Sequence, residues 1–216
     1  MQIIDSTSYR YRYGSVSQLP AQSPVLRGEY ARQRVLRAAI EVLADHGMPG
    51  FTVEAVAERA GASKATLYRR WTSRSELLIE AMDEFASRPL PVPSTGDLRS
   101  DLIELVRGGE ALLQEPRFPR LMAAFIDAAE REPALQQLHA AITENRRQPV
   151  RQILDQARLR REISSTADLE VAIDMLTAPL FYRRFIAHQH MGASYAATLV
   201  DYVLAALGAR HGRLPK

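Results

Sequence analysis

The residues most able to do chemistry lie in the run VEAVAERAGASKATLYRRW, from Val53 to Trp71. Read as a short helix, its second half carries Ser63, Lys64, Ala65, Thr66, Tyr68, Arg69 and Arg70 outward. These side chains suit the major groove of a nucleic-acid duplex. Small Ala65 and Thr66 allow close entry and can meet base edges or a thymine methyl. Lys64, Tyr68 and the arginines can reach phosphates, and the helix N-terminus offers backbone N–H groups to another.

Such a face works only if a second helix crosses behind it. A helix-turn-helix needs a small residue at the crossing, a glycine that accepts positive φ at the turn, and an apolar residue facing back. Ala57, Gly61 and Leu67 fill these places at spacings of four and six, and Val56 adds a core contact. The same spacing also fits a plain joint between two bundle helices with a basic, solvated face.

The flanking elements are helical as well. From Gly28 onward, Val35, Leu36, Ala39, Ile40, Val42 and Leu43 form one apolar stripe that stops near His46-Gly47, and Pro49-Gly50 forces a turn. Short helices over 52–59 and 63–70 follow. A fourth helix begins at Ser73, where Ser73 and Glu76 have capping-box spacing, and reaches about Ser87. The stretch from Arg88 to Gly96 holds three prolines and a glycine, which mark a domain boundary. Beyond it the periodicity predicts helices over 97–114, 118–130, 134–161, 167–190 and 194–208, with a kink at Pro179. No segment alternates with period two, so the expected fold class is all-α. Residues 1–27 lack sustained periodicity and read as a flexible N-terminal tail.

Composition narrows the function further. The 216 residues contain no cysteine, which excludes disulfides, thiolate metal sites and a catalytic thiol. Residues 1–74 hold 11 Lys and Arg against 6 Asp and Glu, and the remainder 17 against 19. A basic first third on a slightly acidic remainder fits a polyanion reader joined to a domain with another task. No apolar run approaches the roughly 20 residues that span a bilayer, and the N-terminus has no hydrophobic signal core. The expectation is a cytoplasmic protein without a membrane partner.

Several separated motifs between Arg32 and Glu80 carry a family resemblance: Ala44-Asp45-His46-Gly47, Phe51-Thr52-Val53, Ala57-Glu58-Arg59-Ala60-Gly61, Ser63-Lys64-Ala65-Thr66-Leu67-Tyr68, Trp71, and Ser73-Arg74-Ser75-Glu76-Leu77-Leu78. This stretch resembles the DNA-binding domain of the tetracycline-repressor (TetR) family. The resemblance implies a helix-turn-helix domain over 28–87 and a helical effector-binding and dimerisation domain over 97–216. It implies that residues 63–70 form the recognition helix, with Lys64, Thr66, Tyr68 and Arg70 at positions that commonly touch DNA. Thr52 and Arg74 match phosphate contacts at the starts of the second and fourth helices. Two residues depart from the family pattern: Ala65 stands where Gly is frequent, and Trp71 where Phe is usual. Trp71 and Phe51 read as core side chains, the indole N–H requiring a local partner.

The same resemblance implies a homodimer whose last two helices form a four-helix bundle with a second copy. The matching apolar residues are Leu180, Phe181, Phe185, Leu199, Tyr202 and Val203. A small-molecule effector pocket is expected near Met122, Phe125, Ile126 and Met175, since pliable Met and flat aromatic side chains suit an apolar ligand. They suit an ordinary core equally well.

The implied function is a ligand-responsive repressor that reads a palindromic operator. The alternatives are a DNA-binding regulator without a small-molecule effector, and a helical ligand-binding or catalytic protein with an incidentally basic N-terminus. Nothing favours an enzyme: there is no phosphate loop, nucleophile elbow or H-E-x-x-H motif. His188 and His190, two apart on a helix, would point to different faces, and no metal or cofactor is expected.

Overall fold

Thr52, Ser63 and Ser73 each stop the backbone in an extended conformation and turn a side-chain oxygen onto an N–H three residues ahead, which starts three successive helices. The computed structural model describes residues 24–87 and 92–209, and every regular element among them is helical. Residues 1–23, most of the expected tail, and residues 88–91 of the expected linker lie outside the described residues.

The first helix, α1 (Pro24–Gly50), begins four residues before the Gly28 expected from periodicity. Proline is well suited to an opening turn because its missing N–H has no helical partner there. At Gly47 the backbone swings to φ 63°, which breaks the regular path before Pro49. Helix α2 (Val53–Ala60) ends in a Schellman turn at Gly61, φ 59°. There Gly61 N–H donates to the Glu58 carbonyl at 3.0 Å and Ala62 N–H to the Ala57 carbonyl at 2.9 Å.

Helix α3 (Lys64–Tyr68) is shorter than the expected 63–70, because Arg69 and Arg70 form a turn that closes back on Leu67. Helix α4 (Arg74–Ala86) carries the expected Ser73–Glu76 pairing. Glu76 reaches back past Ser73 to accept the Thr72 N–H at 2.6 Å and the Thr72 hydroxyl at 2.8 Å. These bonds hold its carboxyl below the ordinary glutamate range.

The remaining helices are α5 (Leu98–Gln114), α6 (Phe118–Ala129), α7 (Pro133–Leu159), α8 (Leu169–Phe181) and α9 (Tyr195–Ala206). The chain divides into two compact units. One takes in α1–α4 together with residues 116–142. Helix α1 is its spine and packs on α2, α4 and α6. Leu36, Leu43, Phe51, Leu67, Leu77, Met82 and Phe125 are fully buried in its core. Residues 116–142, which fall within the 97–216 domain that the family resemblance implies, pack with the N-terminal helices. The cause is the apolar face of α6, where Leu121, Phe125 and Ala128 are buried in this core.

The second unit contains α5, the remainder of α7, α8 and α9, with α5 packed on both α8 and α9. Leu102, Leu113, Leu154, Ile173 and Val200 are among its buried side chains. The expected single helix over 167–190 is not continuous. After α8 the backbone widens into a π-helical turn, Tyr182–Ile186, in which Ala187 N–H donates to the Tyr182 carbonyl at 2.8 Å. It then ends at His188, a non-glycine residue at φ 50°. Pro179, which cannot donate to the turn before it, lies one turn upstream of this irregularity.

Candidate nucleic-acid interface

The turn at Gly61 fixes the angle between α2 and α3, and the crossing behind it is filled by Val56, Ala57 and Leu67, none more than 3 % exposed. Leu67 is the one side chain that α3 buries. Everything else on this element faces outward. Ser63, Lys64, Ala65, Thr66, Tyr68, Arg69 and Arg70 are all exposed, as are Thr52 and Arg74 at the starts of α2 and α4. The nine expected DNA-contacting residues are thus all exposed, at or beside the three successive helices α2, α3 and α4. Tyr68 leaves half of its surface in solvent, a large area for an aromatic residue with no task.

The N-terminal ends of α2 and α3 are each capped by the side chain that precedes the helix. Thr52 Oγ1 accepts the Ala55 N–H at 3.1 Å. Ser63 Oγ accepts the Thr66 N–H at 3.2 Å and shares a 2.8 Å hydrogen bond with the Thr66 hydroxyl. Thr52 and Ser63 therefore cap their own helices while their hydroxyls remain at the surface.

Three of the candidate cations are each opposed by a carboxylate. Lys64 Nζ lies 3.3 Å from Glu54, Arg70 lies 3.8 Å from Glu80, and Arg74 lies 3.9 Å from Glu132. The Glu54 carboxyl is held below its ordinary value, first by its own backbone N–H and then by Lys64. Exposed pairs of this kind contribute little in water, so a phosphate can displace the carboxylate while the pair keeps the cation near its place. Arg69 makes no ion pair among the described residues, and Arg70 also lies over the Trp71 ring at 5.5 Å.

Trp71 and Phe51 are core side chains as expected, 2 % and 0 % exposed. The indole N–H donates to Glu80 at 2.6 Å. Glu80 in turn accepts Arg32 Nε–H at 2.5 Å, and Arg32 also donates to Glu29 and Glu84. Burial works to lower the Arg32 pKa, yet the bonds to Glu80 and Glu29 outweigh it and hold it above the ordinary arginine value. Motif reading missed Glu54, Glu80 and Glu132. The available signal was the tryptophan itself, whose buried N–H needs an acceptor.

The expected effector-pocket residues are divided between the two units. Met122, Phe125 and Ile126 share α6 in the first unit. Phe125 is fully buried and edge-on to His139, with ring centroids 5.4 Å apart, while Ile126 is exposed. Met175 lies on α8 in the second unit and is exposed. None of the four lines the second unit's open recess of about 310 Å³, whose walls include Leu113, Arg184, His188, His190 and Met191. His188 and His190 follow the π turn on irregular backbone, not on a helix as expected. Among the described residues no group of three side chains could hold a metal ion.

Of the expected dimer-interface residues, Leu180 and Val203 are buried within the unit and have no surface to offer a partner. Phe181 and Tyr202 are exposed, and Phe185 and Leu199 are partly so. Phe181 and Phe185 stack on each other at 5.9 Å.

Comparison with known proteins identifies the family. Residues 35–81 match the family model described as bacterial regulatory proteins, tetR family, and residues 92–203 match the tetracyclin repressor-like C-terminal domain. An HTH-type transcriptional regulator of Mycobacterium bovis is 36% identical over 79% of this chain and 84% of its own length. The DNA-binding transcriptional repressor TetR of Mycobacteroides abscessus is 33% identical over 85% of this chain and 96% of its own. A crystal structure of a TetR family transcription regulator superimposes with a TM-score of 0.62 at 28% identity, covering 86% of this chain and 99% of that one. Salmonella enterica GusR, at 21% identity over 87% and 98% of the two chains, shares the fold with a TM-score of 0.65.

Proposed function

The chain belongs to the TetR family of bacterial transcriptional regulators, and from that premise we propose that it is a ligand-responsive repressor reading a palindromic operator as a homodimer. It is a DNA-binding transcriptional regulator and not an enzyme. The observation that carries the finer reading is the face of α3. Leu67 alone faces the core, and every other side chain from Ser63 to Arg70 is left for a partner. In this reading Ala65 and Thr66 approach base edges and Tyr68 spans groove and backbone. Thr52, Ser63, Lys64, Arg69, Arg70 and Arg74 contact phosphates.

The second unit offers the surface for a second copy. Along α8 and the π turn, Val171, Met175, Ala178, Tyr182 and Ile186 are exposed at spacings of four and three, an apolar stripe that no described residue covers. Helix α9, packed beside α8, adds Leu199 and Tyr202. A two-fold pair built on these helices carries two reading heads related by the same axis, so the operator is (pseudo)palindromic. The Mycobacteroides abscessus relative is a DNA-binding transcriptional repressor, and its likeness supports the same role for this chain. A small molecule that binds one arrangement of the dimer better than the other releases DNA only as far as that preference reaches. Its place of work is the cytoplasm, where a bacterial chromosome lies.

Lys64→Ala and Tyr68→Ala test the reading of α3. Both side chains are exposed, so melting temperatures stay close to the parent's. Operator affinity falls for both, and Lys64→Ala flattens the salt dependence by about one unit of slope. Parent-like binding by both variants removes α3 from the DNA.

A further inference from the structure

Glu80 sits on α4 with its two carboxylate oxygens facing different donors. Oε1 accepts Arg32 Nε–H from α1 at 2.5 Å and lies 3.8 Å from the Arg70 guanidinium. Oε2 accepts the Trp71 indole N–H at 2.6 Å. One side chain thus joins α1, α4 and the residues that leave the C-terminal end of α3.

This junction matters because α3 has little else to hold it. The helix is five residues long, and a helix that short has no independent stability in water. Its orientation depends on packed anchors at either end of its single buried turn. Leu67 supplies one, and Trp71, buried just beyond the helix, supplies the other. The ring of Trp71 has one polar atom, and its partner is Glu80.

We propose that Glu80 is a positioning residue for DNA recognition, setting the angle of α3 through the Trp71 indole and Arg32 and restraining Arg70 until a phosphate competes for it. The proposal rests on α3 being the reading helix. The chemistry of the two neighbours makes it specific. An indole N–H and a guanidinium only donate, so the group between them must accept at both atoms. A carboxylate does so. A carboxamide of the same shape cannot, because its NH₂ must face one donor or the other. Glu80→Gln is therefore nearly isosteric yet mismatched, whereas Arg32 keeps Glu29 and Glu84 and holds α1 in place. Trp71→Phe removes one donor and installs the residue usual at this place in the family. In that background the carboxamide introduced by Glu80→Gln can turn its oxygen to Arg32 and leave its NH₂ against a ring.

The experiment titrates the full-length parent, Glu80→Gln, Trp71→Phe, the double variant and Tyr68→Ala with a labelled duplex selected on the parent, far below each melting temperature. Trp71 is the only tryptophan in the chain, so its emission reports the junction directly. The expected result is a loss of tenfold or more in affinity for Glu80→Gln, with a shifted emission maximum. Adding Glu80→Gln to Trp71→Phe then costs less than twofold. Affinity of Glu80→Gln within twofold of the parent overturns the proposal, even if its melting temperature falls, and so do losses that simply multiply in the double variant. Impaired Tyr68→Ala beside unimpaired Glu80→Gln removes Glu80 alone from recognition. Unimpaired Tyr68→Ala removes α3 as reader, and the proposal with it.

Discussion

Glu132, at the corner between α6 and α7, accepts the Ser75 hydroxyl at 2.6 Å from the first turn of α4. The same carboxylate stands 3.9 Å from Arg74, a candidate phosphate contact. Hydrogen bond and charge can be separated by mutation. Glu132→Gln keeps an acceptor for Ser75 but removes the negative charge facing Arg74. The expected outcome is operator binding a few-fold tighter at low salt, with a salt slope steeper by up to about one unit. Ser75→Ala keeps the charge and releases the corner, so it does not tighten binding. Unchanged affinity and slope in Glu132→Gln would show that Arg74 does not reach a phosphate.

Gly61 tests the turn by backbone strain alone. It adopts φ 59°, and a Cβ built there meets nothing within 4 Å, so a side chain would have room but the wrong conformation. Gly61→Val is expected to lose about 1–3 kcal/mol, a fall of several degrees in melting temperature. Gly61→Asn, a residue that tolerates the left-handed region, loses less. Equal melting of all three proteins would contradict the turn geometry.

Much of this segment was legible beforehand because its signals are local. Thr52, Ser63, Ser73 and Gly61 cap helices through contacts three to five residues away, and a short window of sequence contains the whole motif. The parts that escaped have long-range or atypical causes. Arg32 and Glu80 are 48 residues apart, and Ser75 and Glu132 are 57 apart, so no periodicity pairs them. Residues 116–142 show an apolar helical face but not which core receives it. Arg161 and His188 end helical segments at positive φ without being glycine, and the π turn follows Pro179 with no composition signal of its own. Leu180 and Val203 share a helical stripe with true surface residues, and periodicity could not separate inside from outside.

Tyr202 is 72 % exposed on α9 and Phe181 39 % exposed on α8, so a charge at either is tolerated by a lone chain. In a two-fold bundle the same charge is buried against a partner without a counter-ion. Tyr202→Asp and Phe181→Asp are expected to sediment as folded monomers at concentrations where the parent is dimeric, with operator affinity lost in proportion. A dimer of parental affinity would take these residues out of the interface.

Glu110 is a partly buried acid on α5. Its Oε1 has no hydrogen-bond partner among the described residues, and burial pushes its pKa up against the opposing charges of Arg107 and His190. Between the ordinary value of 4.5 and the raised folded value, the folded chain binds more protons than the unfolded one, so stability falls as pH rises through that window. Glu110→Gln removes the titration. The melting temperature of the variant relative to the parent is expected to climb as pH rises above about 4.5. A difference that stays constant with pH would show that this carboxyl titrates normally.

Selection of bound duplexes from a random library asks whether α3 of a two-fold dimer reads operator DNA. The expected result is an enriched (pseudo)palindrome whose affinity, titrated at several salt concentrations, falls steeply with salt. Folded, dimeric protein that enriches no sequence would contradict it.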